Sequence, residues 1–202
     1  MGKHYDNFGM PSSMKREFDV YNRISELNID LGSFNEDVVS LKGAGIAGAV
    51  IHESGLVYMS GYTAGDVVMS DDDSVIKKGQ DSGEEAADVI IRRLHWVLSA
   101  GKEGDLNDVL YTIKALAMVV SPGGGEFMNS PQVANGFSFR WHSVFGGGMG
   151  AYANDGVDKG GFSGVHARSA LGVYVLPNNI PVEIEAIFEL TEKLWVIYKN
   201  II

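Results

Sequence analysis

Apolar residues recur three and four apart most regularly in one stretch of the chain. There Ala87, Ile90, Ile91, Leu94, Val97 and Leu98 make a single stripe, with Asp88, Arg92, His95 and Ser99 on the other faces. The spacing predicts an amphipathic helix. Glu84 and Glu85 fall in its expected first turn, where the helix dipole favours carboxylates, and Gly101 supplies a stop. The preceding 65–83 segment, with Asp71-Asp72-Asp73, reads as a polar loop. A second helical spacing starts at Ser13 and runs through Met14, Phe18, Tyr21, Ile24 and Leu27 towards Gly32. A third has Ser130 as N-cap and Pro131 at the first helical position, followed by Val133, Ala134, Phe137, Trp141, Val144 and Phe145.

Between these helices the pattern changes to strands. Val38 to Gly48 holds two short apolar pieces broken by glycines. Ala49-Val50-Ile51, the turn Glu53-Ser54-Gly55 and Leu56 to Gly61 read as a hairpin. Val109 to Val120 is apolar and β-branched enough for a long buried strand, ended by Ser121-Pro122-Gly123-Gly124-Gly125. After a Gly-rich loop over 146–164, two strands, Ala167 to Leu176 and Val182 to Leu190, flank the turn Pro177-Asn178-Asn179, and are expected to pair antiparallel. Strand, strand, helix, strand, helix, strand, strand is the order of an α+β sandwich, a mixed sheet with two helices on one face.

Composition narrows the chemistry. A chain of 202 residues, 45% hydrophobic and 21% charged, suits one compact globular domain or one domain with an extension. No apolar run approaches the ~18 residues of a membrane span, and Met1 to Ser13 is too polar for a secretory signal. With no cysteine, disulfides, thiolate metal sites and cysteine nucleophiles are excluded, and a cytoplasmic location is expected. The formal net charge of −10 opposes binding to a phosphate backbone. Basic residues cluster only in pairs, Lys15-Arg16, Lys77-Lys78 and Arg92-Arg93, so neither a nucleic-acid nor a membrane partner is expected.

Three patterns invite a ligand and are better read plainly. Asp71-Asp72-Asp73 lacks the alternation and terminal Glu of a calcium loop. Gly123-Gly124-Gly125 is not followed by the Lys-Ser/Thr of a phosphate loop. The histidines show no metal spacing, and His142 and His166 read as surface or pocket-edge residues.

The end of the chain carries a more specific signal. His166-Ala167-Arg168-Ser169-Ala170-Leu171-Gly172-Val173, then Leu176-Pro177, then Pro181-Val182-Glu183-Ile184-Glu185-Ala186-Ile187, resembles the C-terminal signature of the RidA/YjgF family. These are enamine and imine deaminases once labelled "endoribonuclease L-PSP". Leu56 to Gly61, Asp105 to Val120, and Pro131, Val133 and Asn135 resemble further elements of the family in the right order. The resemblance covers about Ala44 to Leu190 and is closest to the longer branch with an N-terminal helix. It divides the chain into an extension, 1–40, and a RidA/YjgF-like domain, 41–202.

The resemblance implies a chorismate-mutase-like fold and a homotrimer with sites in the clefts between subunits. It also implies cofactor-free, metal-free hydrolysis of 2-aminoacrylate-like enamines and imines to 2-oxo acids and ammonia. Arg168 matches the family's substrate arginine, whose planar fork pairs with a carboxylate. Glu183 matches its acidic residue, suited to positioning water or taking its proton. Ser60 and Asn135 match pocket-lining positions, as does Ala170, where the family often has cysteine. The aromatic residue that closes the family pocket has no equivalent in Gly45-Ile46-Ala47-Gly48. Plainer readings stand beside these. Arg168 suits a structural ion pair, Glu183 and Glu185 a solvated strand face, Asn135 a helix-backbone contact, and Ser60 a turn. A non-catalytic binder of small carboxylates, or the ribonuclease of the old label, are the alternatives to the hydrolase.

Overall fold

The structure, a computed structural model, describes residues 18–33, 40–41, 46–65, 72–100, 104–121, 127–146, 164 and 166–191. Its helices are α1 (Val20–Glu26), α2 (Asp73–Ala100) and α3 (Ser130–Phe145). Its strands are β1 (Ser40–Leu41), β2 (Ile46–Ala47), β3 (Ala49–Ile51), β4 (Leu56–Ala64), β5 (Val109–Val120), β6 (Ala167–Val173) and β7 (Val182–Leu190). β1 and β2 form a small ribbon, and the other five make one sheet in the order β3-β4-β7-β5-β6. All its pairings are antiparallel except β5 with β6.

The alternation expected of a half-covered sheet is plain in β7. Val182, Ile184, Ala186, Phe188 and Leu190 are buried, and the residues between them face the other way. On β5 the buried set is Val109, Thr112, Ala115, Ala117 and Val119. α2 and α3 cover this face. Trp141 stacks at 4.9 Å on Phe188 and at 4.4 Å on Phe145, and its indole N–H donates to Thr112 Oγ1 at 2.7 Å. That bond satisfies two polar groups that the core would otherwise penalise.

The hairpin β3–β4 and strands β5 and β7 form where the sequence places them, with β4 continuing to Ala64. α2 departs from expectation. It starts at Asp73 and runs for 28 residues, so Glu84 and Glu85 lie in its interior. The backbone N–H of Ser74 donates to Asp72 Oδ1 at 2.8 Å, making Asp72 a helix-start residue. Gly79 and Gly83, which read as loop residues, serve inside the helix. A Cβ on Gly83 would lie 2.9 Å from the Val133 carbonyl oxygen. A Cβ on Gly136, facing it on α3, would lie 1.9 Å from the Gln80 carbonyl oxygen. The two helices cross in backbone contact, and the glycines are the condition for it.

Other boundaries move less. α1 starts at Val20, with Asp19 as its side-chain cap; the expected start from Ser13 lies outside the described residues. Asn129, not Ser130, is the N-cap of α3. β6 ends at Val173 rather than Leu176. Asp71, Gly123-Gly124-Gly125 and most of the 146–165 loop also lie outside the described residues. α1 is anchored to the body. Its Val20 N–H donates to Asn107 Oδ1 at 2.9 Å, and Tyr21 Oη meets His95 Nδ1 at 3.0 Å. Arg140 of α3 forks onto Asp88 of α2 at 2.7 and 2.8 Å and reaches the Leu27 carbonyl at 3.4 Å.

One expectation about the site fails here. β6 and β7 are not neighbours: β5 lies between them. The turn Pro177–Asn179 carries the chain across β5 instead of closing a hairpin.

The helix crossing gives a test of this packing. Gly136→Ala should lower the free energy of unfolding by about 2–3 kcal/mol, the usual cost of an overpacked contact, despite alanine's better helix propensity. Urea unfolding measures it. A neutral or stabilising effect would show that the helices do not cross in backbone contact.

Candidate functional site

Arg168 sits on the edge strand β6 opposite Ala115, which is buried beneath the helices. Its side chain therefore points to the helix-covered face. There Nη1 donates to Ser138 Oγ at 2.9 Å and Nη2 to the Pro131 carbonyl oxygen at 3.2 Å. Both acceptors are neutral. Burial lowers the pKa of the guanidinium, and no carboxylate pairs with it among the described residues.

Pro131, Asn135 and Ser138 are spaced by four and three along α3, so Asn135 lies on the helical stripe that meets Arg168. Ala170, two residues beyond Arg168, pairs with buried Ala117 and packs on the core from the same face. The structure thus brings Arg168, Ala170 and Asn135 together at one end of the sandwich.

His166 joins them. Its Nδ1 meets the Gly164 carbonyl oxygen at 3.1 Å and its Nε2 meets Ser138 Oγ at 3.0 Å. A carbonyl only accepts, which places the ring hydrogen on Nδ1 and leaves Nε2 to accept the Ser138 hydroxyl hydrogen. Burial lowers the His166 pKa, partly opposed by the Gly164 bond; the nearby Arg168 and His142 lower it further. The ring also stands edge-on to Phe137, centroids 5.6 Å apart. His142 itself is buried, not a surface residue.

Glu183 lies elsewhere. It pairs with Met118 on β5 and Thr63 on β4, between buried Val182 and Ile184, so it projects from the face the helices leave open. β6 and β7 are two strand spacings apart, roughly 10 Å. Within one chain, Arg168 and Glu183 therefore stand on opposite faces of the sheet and cannot touch the same small molecule.

The glutamate has its own setting. Burial, and then the Glu185 carboxylate on the same face, raise its pKa. A β-bulge interrupts the β4–β7 pairing between Met59 and Tyr62. There Gly61 passes under the carboxyl group: a Cβ on Gly61 would lie 1.9 Å from Glu183 Oε1. Ser60, in the same bulge, donates its hydroxyl to the Ala47 carbonyl at 2.7 Å. Ser60 and Glu183 form the second group.

Ser138 escaped the sequence reading, and His166 was read only as a surface or pocket-edge residue. The signal was present: His166, just ahead of β6, stands two residues before Arg168, and Ser138 continues the Pro131–Asn135 spacing. Among the described residues no cluster of three or more His, Asp or Glu could hold a metal ion, and no helix is long and apolar enough to cross a membrane.

Comparison with solved structures bears on this arrangement. The Agrobacterium tumefaciens protein Atu1372, of unknown function, matches at 27% identity with a TM-score of 0.61, over 85% of this chain and 92% of that one. A proposed endoribonuclease from Shewanella oneidensis MR-1 matches at 14% identity and a TM-score of 0.62, over 86% of this chain and 100% of that one. The chain has the RidA/YjgF fold. RidA from the Antarctic bacterium Psychrobacter sp. PAMC 21119 superposes more loosely, at 18% identity and a TM-score of 0.40, over 79% of this chain and 99% of that one. No family model and no curated protein matches the chain.

Two measurements test the local chemistry. Gly61→Ala should leave the fold intact, because the Glu183 side chain can swing away, yet should match Glu183→Gln in any activity that depends on that carboxylate. Unchanged activity in Gly61→Ala beside a defective Glu183→Gln would contradict the placement. The second concerns pH. Burial holds the His95 and His166 pKa values below the unfolded value, about 6.5. The unfolded chain then takes up protons first on acidification. Stability should be fully present above about 6.5 and decline as pH falls through the folded-state values. His166→Asn should flatten that decline in urea midpoints measured against pH.

Proposed function

We propose that the protein hydrolyses small enamines and imines bearing a carboxylate, releasing a 2-oxo acid and ammonia, as its resemblance to the RidA/YjgF deaminases implies. The observation that carries this reading is the state of Arg168. Its guanidinium is half-buried, oriented by two neutral acceptors and unmatched by a carboxylate among the described residues. A structural ion-pair arginine would have its acid beside it, as Arg140 has Asp88. Arg168 is instead a positioned cation with its charge available to an anion, and its fork suits a carboxylate.

An imine carbon is already electrophilic. Orientation, water positioning and a preorganised field are enough for its hydrolysis, without metal or cofactor chemistry. Asn135 and Ala170 line the same side as Arg168, the one as a hydrogen-bonding group and the other as small apolar wall. Glu183 and Ser60 can contribute only across an interface, where the open sheet face of one protomer meets the β6 edge of another. The homotrimer implied by the resemblance supplies such clefts.

Coupling the protein to a 2-aminoacrylate-generating enzyme and following 2-oxo acid formation tests the reading. Arg168→Ala should reduce kcat/KM by about 100-fold or more, the ~3 kcal/mol expected for a charge-assisted carboxylate contact, with Arg168→Lys intermediate. No acceleration by the wild-type protein would sink the hydrolase. Calorimetric binding of 2-oxobutanoate without turnover would instead identify a small-carboxylate binder. The charge of −10 predicts no salt-sensitive binding of RNA.

A further inference from the structure

The titratable group that shares a hydrogen-bonding partner with Arg168 is an imidazole. Ser138 Oγ receives Arg168 Nη1 at 2.9 Å and meets His166 Nε2 at 3.0 Å. We propose that Ser138 and His166 are the proton relay of the Arg168 site, coupling a carboxylate held by Arg168 to a proton held by His166. The proposal rests on the hydrolytic reading above and deepens it by assigning the proton path.

Three features make this a relay rather than a packing arrangement. First, the tautomer is fixed. Gly164 O holds Nδ1–H at 3.1 Å, so the basic lone pair on Nε2 is aimed at the serine hydroxyl. Second, the serine is polarised from both sides. A cation donates to its oxygen while a base accepts its hydrogen, which lowers the cost of moving that proton. Third, the glutamate that the family resemblance points to is on the opposite face of its own protomer's sheet, whereas Ser138 bonds Arg168 directly and links it to His166. The charged and titratable groups facing the ring among the described residues are Arg168 on β6 and His142 on α3. Phe137 and the Gly164 carbonyl also contact the ring. Both neighbouring bases oppose a positive imidazole. An anion bound at Arg168 would offset that opposition and draw a proton onto Nε2.

The chemistry balances. Water adds to the carbon of a protonated imine, and the C=N π pair moves to nitrogen. The added water loses a proton to Ser138 Oγ as the serine passes its own to His166 Nε2. The resulting carbinolamine takes that proton back on nitrogen by the reverse path. The C–N bond then breaks with its electron pair leaving on ammonia. The remaining hydroxyl gives its proton through Ser138 to His166 as the C=O bond forms, and the departing ammonia takes it from there, so iminium and water become 2-oxo acid and ammonium.

Two readouts test this, one of them independent of turnover. In protein labelled with ¹⁵N-histidine, His166 should show the Nδ1–H tautomer, and its titration should move upward on adding 2-oxobutanoate but not in Arg168→Ala. In the coupled assay, kcat/KM should fall on the acid side as His166 becomes charged. His166→Gln and Ser138→Ala should lose about 100-fold in kcat, the low end for general acid–base catalysis. They should also lose that acid limb, with partial rescue in Ser138→Thr. An Nε2–H tautomer, a titration indifferent to 2-oxobutanoate, or full activity with an unchanged acid limb in both variants would overturn the relay. Turnover that needs Arg168 but neither Ser138 nor His166 removes the relay and leaves the hydrolase. A His166 titration that responds to 2-oxobutanoate in a protein without turnover removes the hydrolase and leaves the coupled carboxylate–proton site.

Discussion

The backbone crossing of α2 and α3 at Gly83 and Gly136 is the constraint on which the site depends. It sets how close α3 lies to α2, and thereby where α3 rests over the sheet. The Arg140–Asp88 fork locks the same pair of helices further along, and the Trp141 stack pins α3 to β7. α3 then presents Pro131, Asn135 and Ser138 towards the edge strand. Among the described residues no acid pairs with Arg168, and its hydrogen bonds run to these helix groups. A shift of α3 by an ångström would break the 2.9 Å bond to Ser138 and leave the guanidinium without its orientation. Catalytic geometry is lost over displacements of that size.

The second constraint is topological. The parallel β5–β6 pairing requires the chain to cross over after β5, and α3 provides the crossover. The same connection that makes α3 the cover of the sheet sends β6 to its edge. β7 then returns antiparallel between β4 and β5. One consequence is that the two parts of the sequence motif, Arg168 and Glu183, end on different strands with opposite facing. The face where Glu183 projects also carries Leu116, Met118 and Ile187, apolar side chains at strand positions facing away from α2 and α3. Glu183 is therefore set among apolar side chains on one face of the sheet, while Arg168 is set against α3 on the other.

How much of this was legible beforehand follows from which interactions are local. The β3–β4 hairpin, β5 and β7 were readable because alternation and turn residues are written within a few positions. The start of α2 was not. Gly79 and Gly83 carry the same letters as loop glycines, and only the partner helix, some 50 residues away in the Gly83–Gly136 contact, explains them. Strand order failed for a similar reason. A short turn between β6 and β7 suggests a hairpin, and nothing local reveals that β5 occupies the space between. The site was half legible. The motif led to Arg168, Asn135 and Glu183, whereas His166 and Ser138 looked ordinary because their significance lies in a shared hydrogen bond between residues 28 apart.

The choice of neutral partners for Arg168 carries a physical consequence. A carboxylate in place of Ser138 would hold the guanidinium more firmly, but it would also cancel the charge that an incoming anion needs. A hydroxyl and a carbonyl orient the cation at a few hydrogen bonds' strength and leave its field intact. The burial that lowers the Arg168 and His166 pKa values is the cost of that arrangement. It also means that an anion reaching the half-buried guanidinium would meet less competing water, and a stronger attraction, than at an exposed arginine. In a chain whose overall charge of −10 repels anions at long range, the proposed selectivity for a carboxylate has to arise at short range, from a partly desolvated cation that no acid pairs among the described residues. In the proposed relay, the imidazole that Ser138 joins to Arg168 adds no standing charge to repel it, and would accept one when a ligand's negative charge arrives.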